Sequence, residues 1–172
     1  MSVLTMTAEN KRSGLQERPT LIVRPATSSD VPGIVRLVNI HARRGDLLPR
    51  SLESITAGLN NWLVAEEAGE ILGCVSLLRY TSGLVEVRSL AVDDEAQGKG
   101  VGRQMMEALL IEAEQREIPT LFALTRAVGF FERCGFTVVE KDLFPEKVWS
   151  DCQFCPVRDR CDETAVVLII KQ

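Results

Sequence analysis

Glu86 and Arg88 stand two residues apart in the run VEVRSLAV, Val85–Val92, whose other members are aliphatic or small. Such a run reads as a buried strand. Its period of two sends Glu86, Arg88, Leu90 and Val92 to one face and Val85, Val87, Ser89 and Ala91 to the other. Two ionisable groups on one face of an apolar strand need a reason, because burying an unpaired charge is costly. One reason is pairing with each other or with neighbours. The other is a cleft open to solvent, in which the Glu86 carboxylate takes a proton from an ammonium group. A second chemical feature follows the acidic turn Asp93, Asp94, Glu95: the run QGKGVG, Gln97–Gly102. Its glycines let backbone N–H groups converge where side chains would obstruct them. From Arg103 the period changes. Met105, Met106, Leu109, Leu110 and Ala113 form an apolar face, while Arg103, Gln104, Glu107, Glu112 and Glu114 stay wet. Strand, glycine-rich turn and amphipathic helix together make a seat for an anion, here a phosphate, on unpaired N–H groups at the positive end of the helix dipole.

Two common phosphate loops are excluded. No GxxxxGK[ST] is present, and the glycines at 98, 100 and 102 are followed by Arg103 and Gln104 rather than by the spacing of a dinucleotide fold. Other candidates are less specific. Arg43, Arg44 and Arg50 crowd around Gly45 and Pro49. They read either as solvated surface or as carboxylate recognition, for which the guanidinium fork is suited. The one histidine, His41, reads as a helix-end residue, with a titrating catalytic role as the alternative. Cys152, Cys155 and Cys161 are spaced C-x2-C-x5-C, one ligand short of a structural zinc site, so no metal is expected.

These groups need a scaffold. A chain of 172 residues with 45% apolar content suits one domain with a real core. The expected organisation is a flexible segment over 1–18 and a single domain over 19–172 that carries a cysteine-containing insertion at 140–164. Net charge of −4 argues against a nucleic-acid partner. The sequence holds no 18-residue apolar run and no secretory signal, so the expected location is cytoplasmic, off the membrane. Five cysteines are too few and too uneven for a disulfide framework.

Taken in order, Leu21–Arg24 reads as a strand. Thr27 and Asp30 have capping-box spacing ahead of a helix with Ile34, Leu37, Val38 and His41 on one face. Ser51 caps a second short helix with Leu52, Ile55 and Leu59. Trp62–Glu66, Ile71–Tyr80 and the Val85–Val92 run form a meander. After the glycine turn and its helix come a strand at Thr120–Thr125, a short helix at Ala127–Cys134, and strands at Phe136–Val139 and Ala165–Ile170.

Gln97–Gly102 with Arg103, preceded by LAV at Leu90–Val92, resembles the Q/R-x-x-G-x-G/A signature of the GNAT N-acetyltransferases. FFERCGF, Phe130–Phe136, is similar to that family's penultimate helix, and the element order β-α-α-β-β-β-α-β-α-β-β is the family's order. Within the superfamily, RPATSSDVPGI (Arg24–Ile34), LLPRS, VEVRSLAV and LFALT are similar to the acetyltransferase domain of the N-acetylglutamate synthases, here standing alone. The resemblance implies an α/β fold with a mixed central sheet flanked by helices, and acetyl-CoA as cofactor. It implies transfer of acetyl to the α-amine of L-glutamate in a ternary complex, for arginine biosynthesis. In that reading Leu90, Ala91 and Val92 hold the pantetheine through their backbone, Gln97, Gly98, Lys99, Gly100, Val101, Gly102 and Arg103 hold the pyrophosphate, and Phe131 packs on the cofactor. Glu86 is the base, and Arg50, Arg88 and Arg126 are clamps for the substrate carboxylates. Phe131 departs from the pattern, since many members place tyrosine there to reprotonate the thiolate. The single tyrosine of this chain is Tyr80. Two readings compete with the first: a GNAT enzyme for another amino acid, an amine or a protein N-terminus, and a non-catalytic acetyl-CoA-binding protein. Exposed sheet edges make a homodimer a reasonable expectation.

Overall fold

The computed structural model describes residues 18–144 and 152–170. The expected flexible segment lies outside these up to residue 17, as do residues 145–151 of the insertion. The elements follow the expected order. They are β1 (Ile22–Pro25), α1 (Val31–Arg43), α2 (Leu52–Ala57), β2 (Trp62–Glu67), β3 (Glu70–Arg79), β4 (Val85–Val92), α3 (Val101–Gln115), β5 (Thr120–Thr125), α4 (Val128–Arg133), β6 (Thr137–Val139) and β7 (Thr164–Ile169). One seven-stranded mixed sheet runs β1-β2-β3-β4-β5-β7-β6. All its pairings are antiparallel except that of β4 with β5.

Strand alternation builds a core on each face of the sheet. On one face Val31, Ile34, Leu37 and Val38 of α1 and Ile55 of α2 pack on Trp62, Val64, Cys74 and Ala91. On the other, Met105, Met106, Leu109 and Ala113 of α3 pack on Leu63, Ala65, Val75, Leu77, Val85 and Val87, with Phe131 and Phe136 beside them. Helix and sheet approach closely at Gly73, where a Cβ would stand 2.5 Å from Met105 Sδ. A smaller aromatic cluster continues the α1 side past β4. Phe122 stacks on Phe144 with centroids 4.2 Å apart, and Tyr80 leans on Phe122 at 5.8 Å.

The local signals act much as their chemistry requires. Ser51 Oγ accepts from Ser54 N at 3.1 Å and starts α2, which ends before Gly58, so Leu59 falls in a separate turn. Thr27 and Asp30 form the capping box, but around a single tight turn, Ser28–Asp30, and α1 proper starts at Val31 with proline in its first turn. Helix α3 begins at Val101, two residues before the change of period, because Val101 is itself a core residue.

One expectation is overturned. The β3–β4 register pairs Ser76 with Arg88 but Cys74 with Ala91, so Ser89 and Leu90 together face Val75. This is a β-bulge, and Ser89 takes a left-handed backbone, φ 55°. An extra residue inverts every side chain beyond it. Leu90 and Val92 therefore join the α3 core with Val85 and Val87, and Ala91 turns to the α1 core. Glu86 and Arg88 do not share a face with Leu90 and Val92.

Candidate active site

Strands β4 and β5 part company early. Among the described residues they pair only at Val85↔Leu121 and Glu86↔Phe122, although β4 continues to Val92 and β5 to Thr125. Past Glu86 the edge of β4 that faces β5 is left without strand pairing. A cleft of about 930 Å³ opens there, between the loop after α1, the middle of β4, the end of β5 and the arms 141–144 and 152–163.

Glu86 is at the root of this cleft and only 2% exposed. A carboxylate so buried needs donors. Tyr80 supplies one: its hydroxyl donates to Glu86 Oε2 at 2.7 Å. The hairpin explains the meeting. Leu78 pairs with Glu86, and Tyr80 N donates to Leu84 O, so Tyr80 is the diagonal neighbour of Glu86 on the same face. Counting back from the Thr81-Ser82-Gly83 turn would have found this contact.

Arg50, Arg88 and Arg126, far apart in sequence, line this one cleft with Glu86. Arg88 comes from β4 ahead of the bulge, on the Glu86 face. Arg50 comes from the segment before α2, where Asn39 Nδ2 donates to its carbonyl at 3.3 Å. Arg126, just past β5, is engaged: Nε donates to Asp162 Oδ1 at 2.6 Å and Nη1 to Gly45 O at 2.7 Å. Arg44 borders the same cleft. It makes a two-pronged pair with Asp94, Nη1 to Oδ1 at 2.8 Å, which holds the Asp94 carboxyl below its usual range.

The turn between β4 and α3 has the features of an anion seat. Gly98 and Gly100 have φ of 75° and 85°, a backbone other residues adopt at a cost, and Gly100 is the N-cap of a 15-residue helix. The first N–H groups of α3 lack partners within the helix, and the chain from Gln104 N, bonded to Gly100 O at 3.0 Å, is the first to close the ladder. No acidic residue stands in that first turn. From α1, Arg36 pairs with Asp93 at 3.4 Å and His41 Nε2 bonds to Val92 O at 3.0 Å, so the turn is braced from below. A carbonyl only accepts, so Nε2 is the donor in this bond, and the histidine braces the turn from the end of α1. Gln97 Nε2 donates to the same Val92 carbonyl at 3.2 Å.

The expected cofactor residues divide by geometry. Leu90, Gln97 and Phe131 border the cleft. Lys99 and Val101 border a second cavity against α1 and the β2–β3 hairpin, and Val101 is 4% exposed, so only its backbone is offered to a ligand. Arg103 Nε pairs with Glu107 at 3.0 Å in solvent. Phe131 is 4% exposed and packs edge-on to Phe130 and Phe136, as a core residue. Phe130, half-buried and 3.5 Å from where a Cβ on Gly102 would stand, is the ring nearer the glycine turn, and the sequence reading did not single it out.

Cys152, Cys155 and Cys161 all border the cleft and take part in no disulfide, and Lys141 Nζ lies 3.5 Å from Cys161 Sγ. Among the described residues no group of three or more His, Cys, Asp or Glu could hold a metal ion. Cys134, at the C-terminal end of α4, has its thiol pKa raised by burial and is unsuited to act as a nucleophile. No helix among the described residues is long and apolar enough to cross a membrane.

Known proteins resemble this chain over most of its length. The acetyltransferase (GNAT) domain family matches residues 58–138. An uncharacterized N-acetyltransferase of Chlorobaculum tepidum is 39% identical over 84% of this chain and 94% of its own length. The amino-acid acetyltransferase of Mycobacterium tuberculosis is 36% identical, with 76% of each chain covered. N-acetylglutamate synthase from Neisseria gonorrhoeae, crystallised with coenzyme A and N-acetyl-glutamate, superposes with a TM-score of 0.78 at 26% identity. The overlap covers 91% of this chain and 36% of that one.

Proposed function

This chain belongs to the GNAT acetyltransferase family and is an acetyl-CoA-dependent N-acetyltransferase, and from that premise we propose that its acceptor is the α-amine of L-glutamate. The product is then N-acetylglutamate, made in the cytoplasm for arginine synthesis. The observation that carries the reading is the meeting of Arg50, Arg88 and Arg126 with Glu86 in one cleft. Glutamate has two carboxylates and one ammonium, so it needs two cationic anchors and one group to take a proton. The relatives named for amino-acid acetylation and the structure holding N-acetyl-glutamate support the same acceptor class.

The residues present fit the cofactor. The positive-φ glycines and the open first turn of α3 suit a pyrophosphate, and the unpaired edge of β4 suits an amide-bearing arm. Acetyl-CoA supplies the acetyl group as an activated thioester. The chain's own part is then positional and acid–base. Arg50, Arg88 and Arg126 orient the acceptor. Glu86, directly or through one water, takes the ammonium proton and leaves a nucleophilic amine. The Leu90–Val92 backbone orients the reacting carbonyl.

Steady-state acetylation of all twenty amino acids tests the acceptor. Glutamate is expected to lead, with glutamine poorer for want of a charge and aspartate poorer for want of length. Comparable kcat/KM for glutamate, glutamine and alanine would mean that no two-carboxylate pocket exists.

A further inference from the structure

The Arg126 guanidinium ties together two walls of the cleft that are distant in sequence. Its Nε holds Asp162, 36 residues away on the arm that leads into β7, at 2.6 Å. Its Nη1 holds Gly45 O, 81 residues away in the loop after α1, at 2.7 Å and lies 3.9 Å from Asp46 Oδ1. Asp162, Glu163 and Asp46 all act electrostatically on Arg126, and Lys141 adds a second cation near Asp162. The Arg126 pairing keeps the Asp162 carboxyl below its usual range, so it is an anion wherever the enzyme works near neutrality.

Asp162 thus offers Arg126 the same group that an amino-acid acceptor brings: a free carboxylate. The two compete for the edge of one guanidinium, whose Nε is spent on Asp162. The Asp162 side chain is 68% exposed, and an exposed ion pair is weak enough to open. We propose that Asp162 is an internal carboxylate that occupies Arg126 in place of the acceptor's carboxylate, and that acceptor binding includes displacement of Asp162. This rests on the reading of Arg126 as an acceptor anchor. It makes Asp162 a residue that sets acceptor affinity without touching the chemistry. The exchange is one carboxylate for another on an unchanged cation, so no charge is left unpaired in the cleft at either end of it. Freed Asp162 returns to solvent, which its exposure already favours.

The sign of one variant decides the matter. Asp162→Asn keeps the size of the side chain and removes its charge. If Asp162 competes, the glutamate KM falls about 3–10-fold in this variant, while kcat and the acetyl-CoA KM stay put. In an Arg126→Gln background the same change then has no effect on the glutamate KM, because the contested cation is gone. A glutamate KM that is unchanged or higher in Asp162→Asn, with Arg126→Gln raising it, shows that Asp162 positions Arg126 and overturns the proposal while leaving the anchor in place. A glutamate KM unmoved by Arg126→Gln removes the anchor and this inference with it. Asp162→Ala, followed by thermal unfolding alongside kinetics, separates a loosened arm from relieved competition: only the first lowers the unfolding temperature.

Discussion

The Tyr80 hydroxyl donates a 2.7 Å hydrogen bond to Oε2 of Glu86 in a cleft wall where Glu86 is all but closed to solvent. The contact fixes the rotamer of the carboxylate and directs its other oxygen. Tyr80 is itself set by packing on Phe122, which stacks on Phe144 at the start of the insertion. The base is therefore aimed by a chain of contacts that runs from the β3–β4 hairpin to the arm that walls the cleft.

Tyr80→Phe keeps the ring and removes the hydroxyl. A hydrogen bond to a charged, buried group is worth about 1.5–3 kcal/mol, so kcat is expected to fall about tenfold or more. The glutamate KM should change little, because the ring touches the base rather than the acceptor. Initial-rate kinetics separate the two. A KM effect with unchanged kcat would place Tyr80 in acceptor binding instead.

Glu86→Gln keeps the shape and an oxygen that still accepts from Tyr80. Turnover is expected to fall by about 10²–10⁴, the usual range for a general base. The deficit should narrow at high pH, where free amine is abundant without help. A variant as active as the parent at neutral pH would take Glu86 out of proton transfer.

Gly100 caps α3 with φ of 85°, and a Cβ there would meet nothing within 4 Å. A side chain there meets no other part of the protein, so backbone strain is added to the screen it would place over the N–H groups. A left-handed conformation costs an ordinary residue about 1–2 kcal/mol. Gly100→Val relaxes the turn and moves its N–H groups off the phosphate, and calorimetry should show acetyl-CoA binding weakened about tenfold. Full affinity in the folded variant would take this turn out of cofactor binding.

Asp30 is buried under a two-pronged pair with Arg24, at 2.7 and 3.0 Å, and accepts from Thr27 N at 2.7 Å. The Arg24 guanidinium leads in lowering its pKa from 3.8 to about 2, against the opposing effect of burial. The native state thus binds the proton more weakly than the unfolded chain. The stabilisation is complete above about pH 4 and is lost as pH falls through 2. Asp30→Asn should cost about 1–2 kcal/mol in urea unfolding at pH 7 and little near pH 2. An equal deficit at both pH values would assign the loss to packing instead.

The fold was legible because periodicity, caps and turns all agreed. Ser51, the Thr81–Gly83 turn and the alternation in Trp62–Glu66 act through neighbours within a few residues. The site was legible in part. Glu86 and the arginines announced themselves by charge in apolar or loop surroundings, but their partners depend on register and on long-range closure. The Ser89 bulge shows why: the polar pair Arg88–Ser89 interrupts the alternation of VEVRSLAV, but only the partner strand shows that a residue is left over there. Its cause is the pairing with β3, and it decides that Arg88 looks into the cleft while Leu90 joins the α3 core. The Arg126–Asp162 contact was equally hidden, since it needs the insertion to return across the end of β5.

Arg88 gives the last test, and the bulge sharpens it. Because the inversion falls after Arg88, this side chain keeps the Glu86 face and lies opposite Ser76, in the cleft and away from the glycine turn. Its role should thus be confined to the acceptor. Each two-pronged contact between a guanidinium and a carboxylate is strong, and truncation also leaves the substrate charge unpaired. Arg88→Ala is expected to raise the glutamate KM by about 10²-fold with the acetyl-CoA KM nearly unchanged. Arg88→Lys should recover only part of the loss, because an ammonium keeps the charge but not the planar fork. Initial rates with both substrates varied make the distinction. Equal shifts in the two KM values would mean that Arg88 shapes the cleft as a whole, and full recovery by lysine would mean that charge alone is read.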